Sequence, residues 1–363
     1  MAFREELPSV AAASAPPDES LRLAVEAGLV PVATAELTVE RTGDAEHGFA
    51  WRCRRTGRAP GKTRCRELDS LALPPAWTEV RAARDHRAHI QAVGRDGSGR
   101  MQYRYHEGWT RVRETLKARR LAAFADALPR IRERVAEDLK GPIDARETVI
   151  ALAVRLIDRG LLRVGGERYA ATGTAGATTL ERRHVAVEGD TVRLAFRAKA
   201  GKAARLRLRD ARLAKCLARL KGARRDRAAS GLSSRLFCWC DGEGTWRRLT
   251  GAQVNAYLSA IAGTAVSAKD FRTFAGSSLA LEKLEETNRL PARRRVPAAM
   301  KAVAERLRNT PAVARSSYVH DMVLALEGSP KRLARLLRGR RRRGLNRRET
   351  ALARLLQEQS SLS

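Results

Sequence analysis

Alternating apolar and polar residues characterise the first third of the chain. Residues 89–93 (His-Ile-Gln-Ala-Val) alternate in this way just before a glycine-rich turn at 94–99. A period of two is typical of a β-strand, because successive side chains point to opposite faces. Similar short stretches, separated by turn residues, continue as far as Trp109. We therefore predict a small β-rich domain over residues 28–109.

A longer, helical period replaces this alternation in the rest of the chain. Apolar side chains recur three or four residues apart at Val149, Leu152 and Leu156, which predicts an amphipathic helix. Residues 185–208 return to alternation around two turns, and this pattern predicts a three-stranded meander. The predicted fold class is therefore α+β, with a larger, mainly α-helical domain over residues 110–327.

The two ends of the chain differ from these domains in composition. Residues 1–27 begin with a segment rich in Ala, Ser and Pro, which favours a flexible leader. Residues 328–363 contain many arginines, and no acidic residue follows Gly328 until Glu349. Leucines in this segment would allow a helix, but the density of charge favours a solvated basic extension that binds phosphates without sequence preference.

The charge of the chain indicates the kind of partner to expect. Lysine and arginine number 71 and aspartate and glutamate 40, which gives a formal net charge of +31. Such an imbalance attracts polyanions, so nucleic acid is the expected partner. The five cysteines lack the paired spacing of a zinc site, and we expect reduced thiols and no metal. Without a signal peptide or an apolar run of membrane length, the sequence predicts a cytoplasmic protein with no membrane contact.

Two arginines lie where predicted helices end or begin. Arg163 follows a helix that ends at Gly160, at a point where the chain turns. Arg272 lies in the first turns of a helix whose start resembles a capping box, with Ser267 and Asp270 three residues apart. Guanidinium groups bind phosphate oxygens through paired hydrogen bonds and keep their charge at physiological pH. The two arginines are therefore candidates for stabilising a phosphodiester during its cleavage.

The same domain offers a proton donor, an amide and a nucleophile. Lys199 lies at the mouth of a predicted hairpin and could act as a general acid if neighbouring arginines lower its pKa, with Lys202 of the same loop as the alternative. A Thr-Pro pair after Asn309 marks the start of a helix. Tyr318 lies seven residues beyond that proline. We predict that this helix continues through Leu326, with Tyr318 at the edge of its buried stripe.

The order of these residues resembles the active site of the type IB DNA topoisomerases, particularly their compact bacterial and poxvirus branch. The likeness also extends through residues 73–77, 91–96 and 102–106 and covers roughly residues 28–327. Three positions depart from the pattern of many relatives, which have histidine at Asn309, asparagine at Gly166 and glycine at Ala198. The matching elements, in order, are Arg163, Lys199, Lys269-x-x-Arg272, Asn309-Thr310-Pro311 and Ser317-Tyr318.

The resemblance implies a role for each candidate residue. Tyr318 would attack the phosphorus and form a 3′-phosphotyrosine, while Arg163 and Arg272 would hold the non-bridging oxygens. Lys199 would protonate the departing 5′ oxygen, and Asn309 would donate a hydrogen bond to the phosphoryl oxygen. The enzyme would relax supercoiled duplex DNA by transient cleavage of one strand, strand rotation and religation. It would need neither ATP nor a metal, and the sequence contains no GxxxxGK[ST] motif for binding a nucleotide.

The same resemblance implies further DNA contacts and an overall arrangement. The two domains would form a C-shaped clamp on the duplex, and the protein would act as a monomer associated with the nucleoid, without a cofactor. Duplex contacts are expected from Gln102, Tyr103, Tyr105, Arg168, Tyr169 and Lys269.

Two other functions remain as alternatives. A tyrosine recombinase uses a similar set of Arg, Lys, Arg and Tyr, although recombinases usually carry His-x-x-Arg where this chain has residues 269–272. A non-enzymatic DNA-architectural protein would account for the charge, but it would leave the region around Tyr318 unexplained.

Overall fold

The first compact unit is built around a five-stranded antiparallel sheet. The computed structural model describes residues 17–222, 232 and 234–360, and the chain divides into two compact units between Lys117 and Ala118. The strands of the first unit follow the order β2-β1-β3-β4-β5. Its elements are α1 (Pro17–Glu26), β1 (Val39–Asp44), β2 (Gly48–Cys53), α2 (Lys62–Ser70), β3 (Thr78–Ala82), β4 (Ile90–Arg95) and β5 (Met101–Tyr105).

Strand β4 confirms the strand predicted at residues 89–93, and it is buried on both faces. Ala92 packs in one apolar cluster with Val39, and its neighbour Val93 packs in another with Leu37. Adjacent strand residues point to opposite faces, so apolar groups cover the sheet on both sides at this strand.

The prediction of a flexible leader at residues 1–27 was wrong for α1, which is a helix. Ala24 is fully buried and packs in an apolar cluster with Leu29, Trp109 and Val112. The apolar residues of α1 follow a helical period. The Pro-rich composition of the residues before them made this period easy to overlook. Residues 1–16 lie outside the described part of the chain.

The second compact unit is mainly α-helical and contains the predicted meander, so the α+β fold class is confirmed. The boundary predicted after residue 109 falls inside α3. The strands are β6 (Val185–Glu188), β7 (Thr191–Arg197) and β8 (Ala203–Arg209), which pair in that order, and β9 (Cys238–Cys240) and β10 (Trp246–Arg248), which pair with each other. The helices are α3 (Glu107–Asp138), α4 (Arg146–Gly160), α5 (Glu167–Ala170), α6 (Ala211–Gly222), α7 (Gly251–Ala262), α8 (Ala268–Glu286), α9 (Ala292–Leu307), α10 (Pro311–Tyr318), α11 (Asp321–Leu324), α12 (Pro330–Arg338) and α13 (Arg347–Ser360).

Helix α8 lies at the centre of this unit and packs against α9, α10, α12 and α13. Its first turn is fixed by Asp270, whose carboxylate accepts hydrogen bonds from the Ser267 N–H at 2.7 Å and from Arg120 at 2.7 Å. The predicted capping of this helix by Ser267 and Asp270 is thus confirmed. A fixed helix start also fixes the position of Arg272, two residues later.

The expectation of a solvated basic extension was wrong for residues 330–360. Leu333, Leu336 and Leu337 of α12 are buried in the main core. Arg132 of α3 donates hydrogen bonds to Asp158 of α4 and to Glu349 of α13, each at 2.9 Å. Apolar residues at helical spacing bury one face of each C-terminal helix, and the charges lie on the other face.

Within the described residues, no helix is both long enough and apolar enough to cross a membrane. The C-shaped clamp stays a prediction of the family resemblance.

Candidate active site

Arg272 is a fully buried cation at the centre of the candidate site. Its side chain is enclosed between two helix ends, because its guanidinium donates to the Leu161 carbonyl, after α4, and to the Leu307 carbonyl of α9, the latter at 2.9 Å. The guanidinium carbon lies 4.7 Å from the centre of the Tyr318 ring. Burial lowers the pKa of Arg272, and the phenol of Tyr318 partly opposes this change. The chain thus holds a charged group beside the candidate nucleophile.

A second arginine, Arg308, shares the carbonyl that Arg272 binds. Arg308 has a left-handed backbone conformation (φ 55°), and its guanidinium donates to the carbonyls of Gly160 and Leu161 at 2.7 and 2.9 Å. Burial and the neighbouring arginines lower the pKa of Arg308 to about 10. The carbonyls at the end of α4 carry the negative end of the helix dipole, which offsets the repulsion between these cations. The sequence gives no sign of a role for Arg308, since its partners are backbone atoms at the end of a distant helix.

Arg163 is joined to Asn309 by a side-chain hydrogen bond. An Nη of Arg163 donates to the Oδ1 of Asn309 at 2.5 Å. The Nδ2 of Asn309 is buried and has no hydrogen-bond partner among the described residues. An unsatisfied buried donor carries a cost in free energy, and this one is available to an oxygen that enters the site.

The backbone on either side of Arg163 is held by a close approach of two glycines. The N–H groups of Ala177 and Thr178 donate to the carbonyls of Arg163 and Val164, each at 2.8 Å. Gly165 has φ +92°, and a Cβ placed on Gly176 would lie 2.5 Å from the Cα of Gly165. Only residues without a Cβ allow this contact, and it keeps the segment that carries Arg163 in place.

Tyr318 is the last residue of α10 and is largely buried, with 8% of its surface exposed. Its carbonyl accepts a hydrogen bond from the Oγ of Ser277 at 3.2 Å, and the same Oγ accepts one from the N–H of His320 at 3.2 Å. A Cβ on Gly276 would lie 2.7 Å from the Tyr318 carbonyl oxygen. Gly276 and Ser277 of α8 therefore position the tyrosine, and nothing in the linear sequence marked them for this.

The helix predicted through Leu326 is interrupted just after Tyr318. Val319 is extended (φ −117°, ψ 133°), and a new short helix, α11, begins at Asp321. The start of α10 is as predicted, because the Oγ1 of Thr310 accepts a hydrogen bond from the Val313 N–H and Pro311 is the first helical residue. At the break, the Oγ of Ser277 accepts a hydrogen bond from the His320 N–H and donates one to the Tyr318 carbonyl. These backbone groups would bond to other backbone groups in a continuous helix.

The surrounding cations favour ionisation of the Tyr318 phenol. Burial alone would raise the pKa of Tyr318, but the positive charges of Arg272, Arg163 and Lys269 outweigh it, and the pKa lies below its usual value. Two other tyrosines, Tyr105 and Tyr257, have pKa values raised by burial. A lowered pKa makes the phenolate, which is the stronger nucleophile, more accessible near neutral pH.

The site carries uncompensated positive charge. Arg163, Arg272 and Arg308 donate to amide or carbonyl oxygens, and none of the described ion pairs involves any of them. No group of three or more His, Cys, Asp or Glu side chains that could hold a metal ion exists among residues 17–222 and 234–360. The arrangement is suited to an anion with several oxygens, such as a phosphodiester, next to an activated phenol.

Lys199 is not brought into this cluster. It lies exposed in the turn between β7 and β8, where the Ala198 N–H donates to the Lys202 carbonyl at 2.8 Å. Across the described hydrogen bonds and ion pairs, none joins Lys199 to Arg163, Arg272 or Tyr318. The hairpin predicted around Lys199 is present, but a role as general acid requires its turn to approach the bound DNA.

Three of the predicted DNA-contacting residues are exposed in the second unit. Lys269 is on the first turn of α8, and its charge acts on Tyr318. Arg168 and Tyr169 lie on the short helix α5, a few residues after Arg163, and Tyr169 is 61% exposed. An exposed aromatic side chain beside a basic one is a suitable surface for nucleic acid.

The other three predicted contacts lie on β5 of the first unit. The Nε2 of Gln102 donates to Asp96 at 2.8 Å, and the rings of Tyr103 and Tyr105 stack with their centres 5.8 Å apart. Side chains alternate along a strand, so Gln102 points to the opposite face from the two tyrosines. These three residues therefore form two different surfaces.

Comparison with known proteins gives matches in both compact units. A family model described as the catalytic core of eukaryotic DNA topoisomerase I matches residues 107–334, and one described as the N-terminal domain of bacterial DNA topoisomerase IB matches residues 48–96. The chain is also 31% identical over 270 residues to DNA topoisomerase 1B of Acanthamoeba polyphaga mimivirus. This alignment covers 71% of this chain and 78% of the viral protein. These matches confirm the resemblance and favour it over a recombinase or an architectural protein. The chain belongs to the type IB DNA topoisomerases.

Proposed function

We propose that this enzyme relaxes supercoiled duplex DNA by cutting and rejoining one strand through Tyr318. The phenolate oxygen attacks the phosphorus and forms a 3′-phosphotyrosine, and the bond from phosphorus to the 5′ oxygen breaks. The 5′ oxygen takes up a proton and becomes a free hydroxyl. After the duplex rotates, the hydroxyl attacks the phosphotyrosine and restores the original bond.

One observation supports this chemistry above all: the Tyr318 phenol, with its pKa lowered, lies beside arginines that form no ion pair with a carboxylate in the described part of the chain. Charge builds up on the non-bridging oxygens as the phosphorus is attacked, and fixed cations stabilise it at little reorganisation cost. Arg163 and Arg272 are the proposed phosphate-binding groups. Arg308 is a proposed positioning residue, because it binds the carbonyl that also orients Arg272.

Asn309 is proposed to donate from its Nδ2 to the phosphoryl oxygen. Its Oδ1 is already used by Arg163, which fixes the orientation of the amide and leaves the Nδ2 for a ligand. A neutral amide gives this hydrogen bond at every pH, whereas the histidine of many relatives could change its charge near neutrality.

Lys199 is proposed as the proton donor for the leaving 5′ oxygen. The turn between β7 and β8 is exposed, so the phosphate backbone of a duplex can draw its ammonium group toward the cleaved bond. Lys202, at the other end of the same turn, is the alternative donor.

Contacts with the duplex are proposed for six further side chains. We also propose that the enzyme acts as a monomer. Neither ATP nor a metal ion is required for relaxation in this proposal. The backbone contacts would set affinity and register, while groups that reach base edges would influence the choice of cleavage site. The six residues are Gln102, Tyr103, Tyr105, Arg168, Tyr169 and Lys269.

The test is relaxation of a negatively supercoiled plasmid in the presence of EDTA and without ATP. Wild-type protein should produce a ladder of topoisomers, and denaturant should trap DNA bound covalently to Tyr318 through its 3′ phosphate. Tyr318→Phe removes one oxygen and no charge, so this variant should bind DNA normally and relax none of it. Relaxation by the phenylalanine variant, or a strict need for a divalent metal, would rule out the proposal.

A further inference from the structure

His320 lies two residues beyond Tyr318, and its side chain caps the short helix α11. The Nδ1 of His320 accepts a hydrogen bond from the N–H of Met322 at 3.2 Å. His320 is buried, with 5% of its surface exposed. Because the first N–H groups of a helix lack partners within it, a side-chain acceptor at this position stabilises the helix start. The ring of His320 thus sets the point at which the chain becomes helical again after Tyr318.

The backbone of His320 is tied to the same part of α8 as Tyr318. The N–H of His320 donates to the Oγ of Ser277 at 3.2 Å, and this Oγ donates to the Tyr318 carbonyl at 3.2 Å. The carbonyl of His320 accepts a hydrogen bond from the N–H of Val323 at 2.9 Å. Ring and backbone together therefore hold His320 between α8 and α11. Ser277 and His320 are called the Tyr318 anchor below.

Burial differs on the two sides of Tyr318. On the N-terminal side, Ala314 is buried, but the other residues of α10 before Tyr318 are exposed. On the C-terminal side, Val319 and Val323 are fully buried in the main core, and His320 lies between these two valines in the chain. The attachment of the tyrosine to the core therefore depends mainly on the residues that follow it.

The proposed reaction makes a demand on this attachment while the DNA is cut. Tyr318 then carries the 3′ phosphate, and the strand with the free 5′ hydroxyl rotates away. Rejoining requires the hydroxyl to return in line with the bond between the phosphorus and the phenolic oxygen. A displacement of reacting groups by about 1 Å can lower a rate on the order of 100-fold. The main chain of Tyr318 must therefore stay in place until the strand is sealed.

We propose that His320 is a positioning residue for religation. By capping α11 and binding Ser277, it keeps the phosphotyrosine aligned for attack by the 5′ hydroxyl. His320 takes part in no bond that forms or breaks, and it acts only through the main chain of Tyr318. This inference rests on the proposed function, because it assumes that Tyr318 carries the cut strand.

Two substitutions separate the cap from the bulk of the ring. His320→Asn keeps a short side-chain acceptor of the kind that helix starts prefer, whereas His320→Gln keeps more volume but is not among the preferred caps. The matched control is Asn346→Ala in the same unit. The Oδ1 of Asn346 accepts a hydrogen bond from the Glu349 N–H at 3.0 Å at the start of α13, so this variant loses a helix cap that is not part of the Tyr318 anchor.

The decisive measurement is the rate of religation in a single turnover. A duplex whose cleavage releases a short 5′ fragment traps the covalent intermediate, and an added strand with a 5′ hydroxyl then starts religation. His320→Gln should rejoin DNA on the order of 10- to 100-fold more slowly than wild type, while its Kd for uncleaved duplex stays the same. His320→Asn and Asn346→Ala should rejoin at the wild-type rate. Wild-type religation by His320→Gln, or an equal defect in His320→Asn or Asn346→Ala, would overturn the inference.

The phenolate absorbance of Tyr318 gives a second readout, which a loss of stability alone would not change. A displaced phenol moves away from the cations of the site and loses their favourable interaction with the phenolate. In His320→Gln the phenol should therefore ionise at higher pH than in the wild type and in Asn346→Ala. Identical titrations in the three proteins would contradict the proposed positioning.

Ser277→Ala tests the other half of the Tyr318 anchor, and it decides the matter if His320→Gln does not fold. This variant removes the hydroxyl that joins Tyr318 to His320 and should show the same slow religation, whereas a wild-type rate would overturn the inference. Plasmid relaxation by the wild type, measured in parallel, tests the proposed function on its own. Absence of relaxation contradicts that proposal whatever the religation rates of the variants.

Discussion

The Oδ1 of Asn309 accepts a hydrogen bond from Arg163 at 2.5 Å, while the Nδ2 of the same amide is buried and has no partner in residues 17–222 and 234–360. A residue 146 positions away along the chain thus sets the orientation of the amide. The side-chain atom of Asn309 that lacks a partner among the described residues is a donor, which matches the need of a phosphoryl oxygen that gains negative charge.

Asn309→Ala should slow single-turnover cleavage of a DNA duplex by about 100-fold, the usual effect of removing one donor to a developing oxyanion. Binding of uncleaved DNA should change little. Asn309→Asp should be slower still, because a carboxylate would neutralise Arg163 and repel the phosphate. If the alanine variant cleaved at the wild-type rate, the Nδ2 would have no part in the reaction.

Gly276→Ala should displace Tyr318, since the added methyl group would lie 2.7 Å from its carbonyl oxygen. We expect a loss of about 1–3 kcal/mol in the free energy of unfolding, as for other overpacked sites, and a clear decrease in the cleavage rate. Denaturant titration and single-turnover cleavage measure the two effects. Gly222→Ala on α6 is the matched control, because no atom of the described residues outside its own helix backbone lies within 4 Å of the Cβ that it adds. Full activity of the Gly276→Ala variant would show that the close approach to Tyr318 is not needed.

The sequence predicted more of the secondary structure of this protein than of the contacts that position its candidate active site. Local patterns were sufficient for the meander at β6–β8 and for the starts of α8 and α10, because capping and alternation depend on near neighbours. Gly276, Ser277 and Arg308 were missed, since each acts on a residue that only tertiary packing brings close. The C-terminal helices were misjudged for another reason: their charge was given more weight than their regularly spaced leucines.

The Tyr318 phenol should ionise at lower pH than an ordinary tyrosine, because nearby cations lower its pKa. Removing one of these charges by Lys269→Gln should move the titration to higher pH, since the phenolate loses a favourable interaction. Phenolate absorbance, measured as the difference between each protein and its Tyr318→Phe counterpart, isolates this one group. The pH at which cleavage reaches half its maximum should shift in the same direction. An unchanged titration in the Lys269→Gln protein would contradict the proposed electrostatic coupling.

Lys199→Ala should slow cleavage strongly, whereas Lys202→Ala should have a small effect. Both lysines lie in one exposed turn, so either substitution should leave folding intact. A DNA substrate with sulfur in place of the bridging 5′ oxygen has a leaving group that needs no proton, and it should restore cleavage by the Lys199→Ala variant. If only Lys202→Ala shows the defect and its rescue, the assignment of the two lysines must be exchanged.

Glu349→Gln should destabilise the protein at neutral pH and remove part of its sensitivity to acid. Burial alone would raise the pKa of Glu349, but its hydrogen bonds and ion pair with Arg132 outweigh burial and hold the pKa below its usual value. The stability that this carboxylate contributes is therefore fully present above the unfolded-state pKa of about 4.3 and is lost as the pH falls through the lower, folded-state value.

We expect Glu349→Gln to cost about 1–3 kcal/mol at pH 7, the effect of leaving a buried charged partner poorly paired. The difference from wild type should shrink toward zero at acid pH, where the wild-type carboxylate is protonated. Denaturant midpoints measured across this pH range follow the change, with Glu358→Gln as a more exposed control on the same helix. A pH-independent difference would mean that the ion pair with Arg132 does not anchor α13.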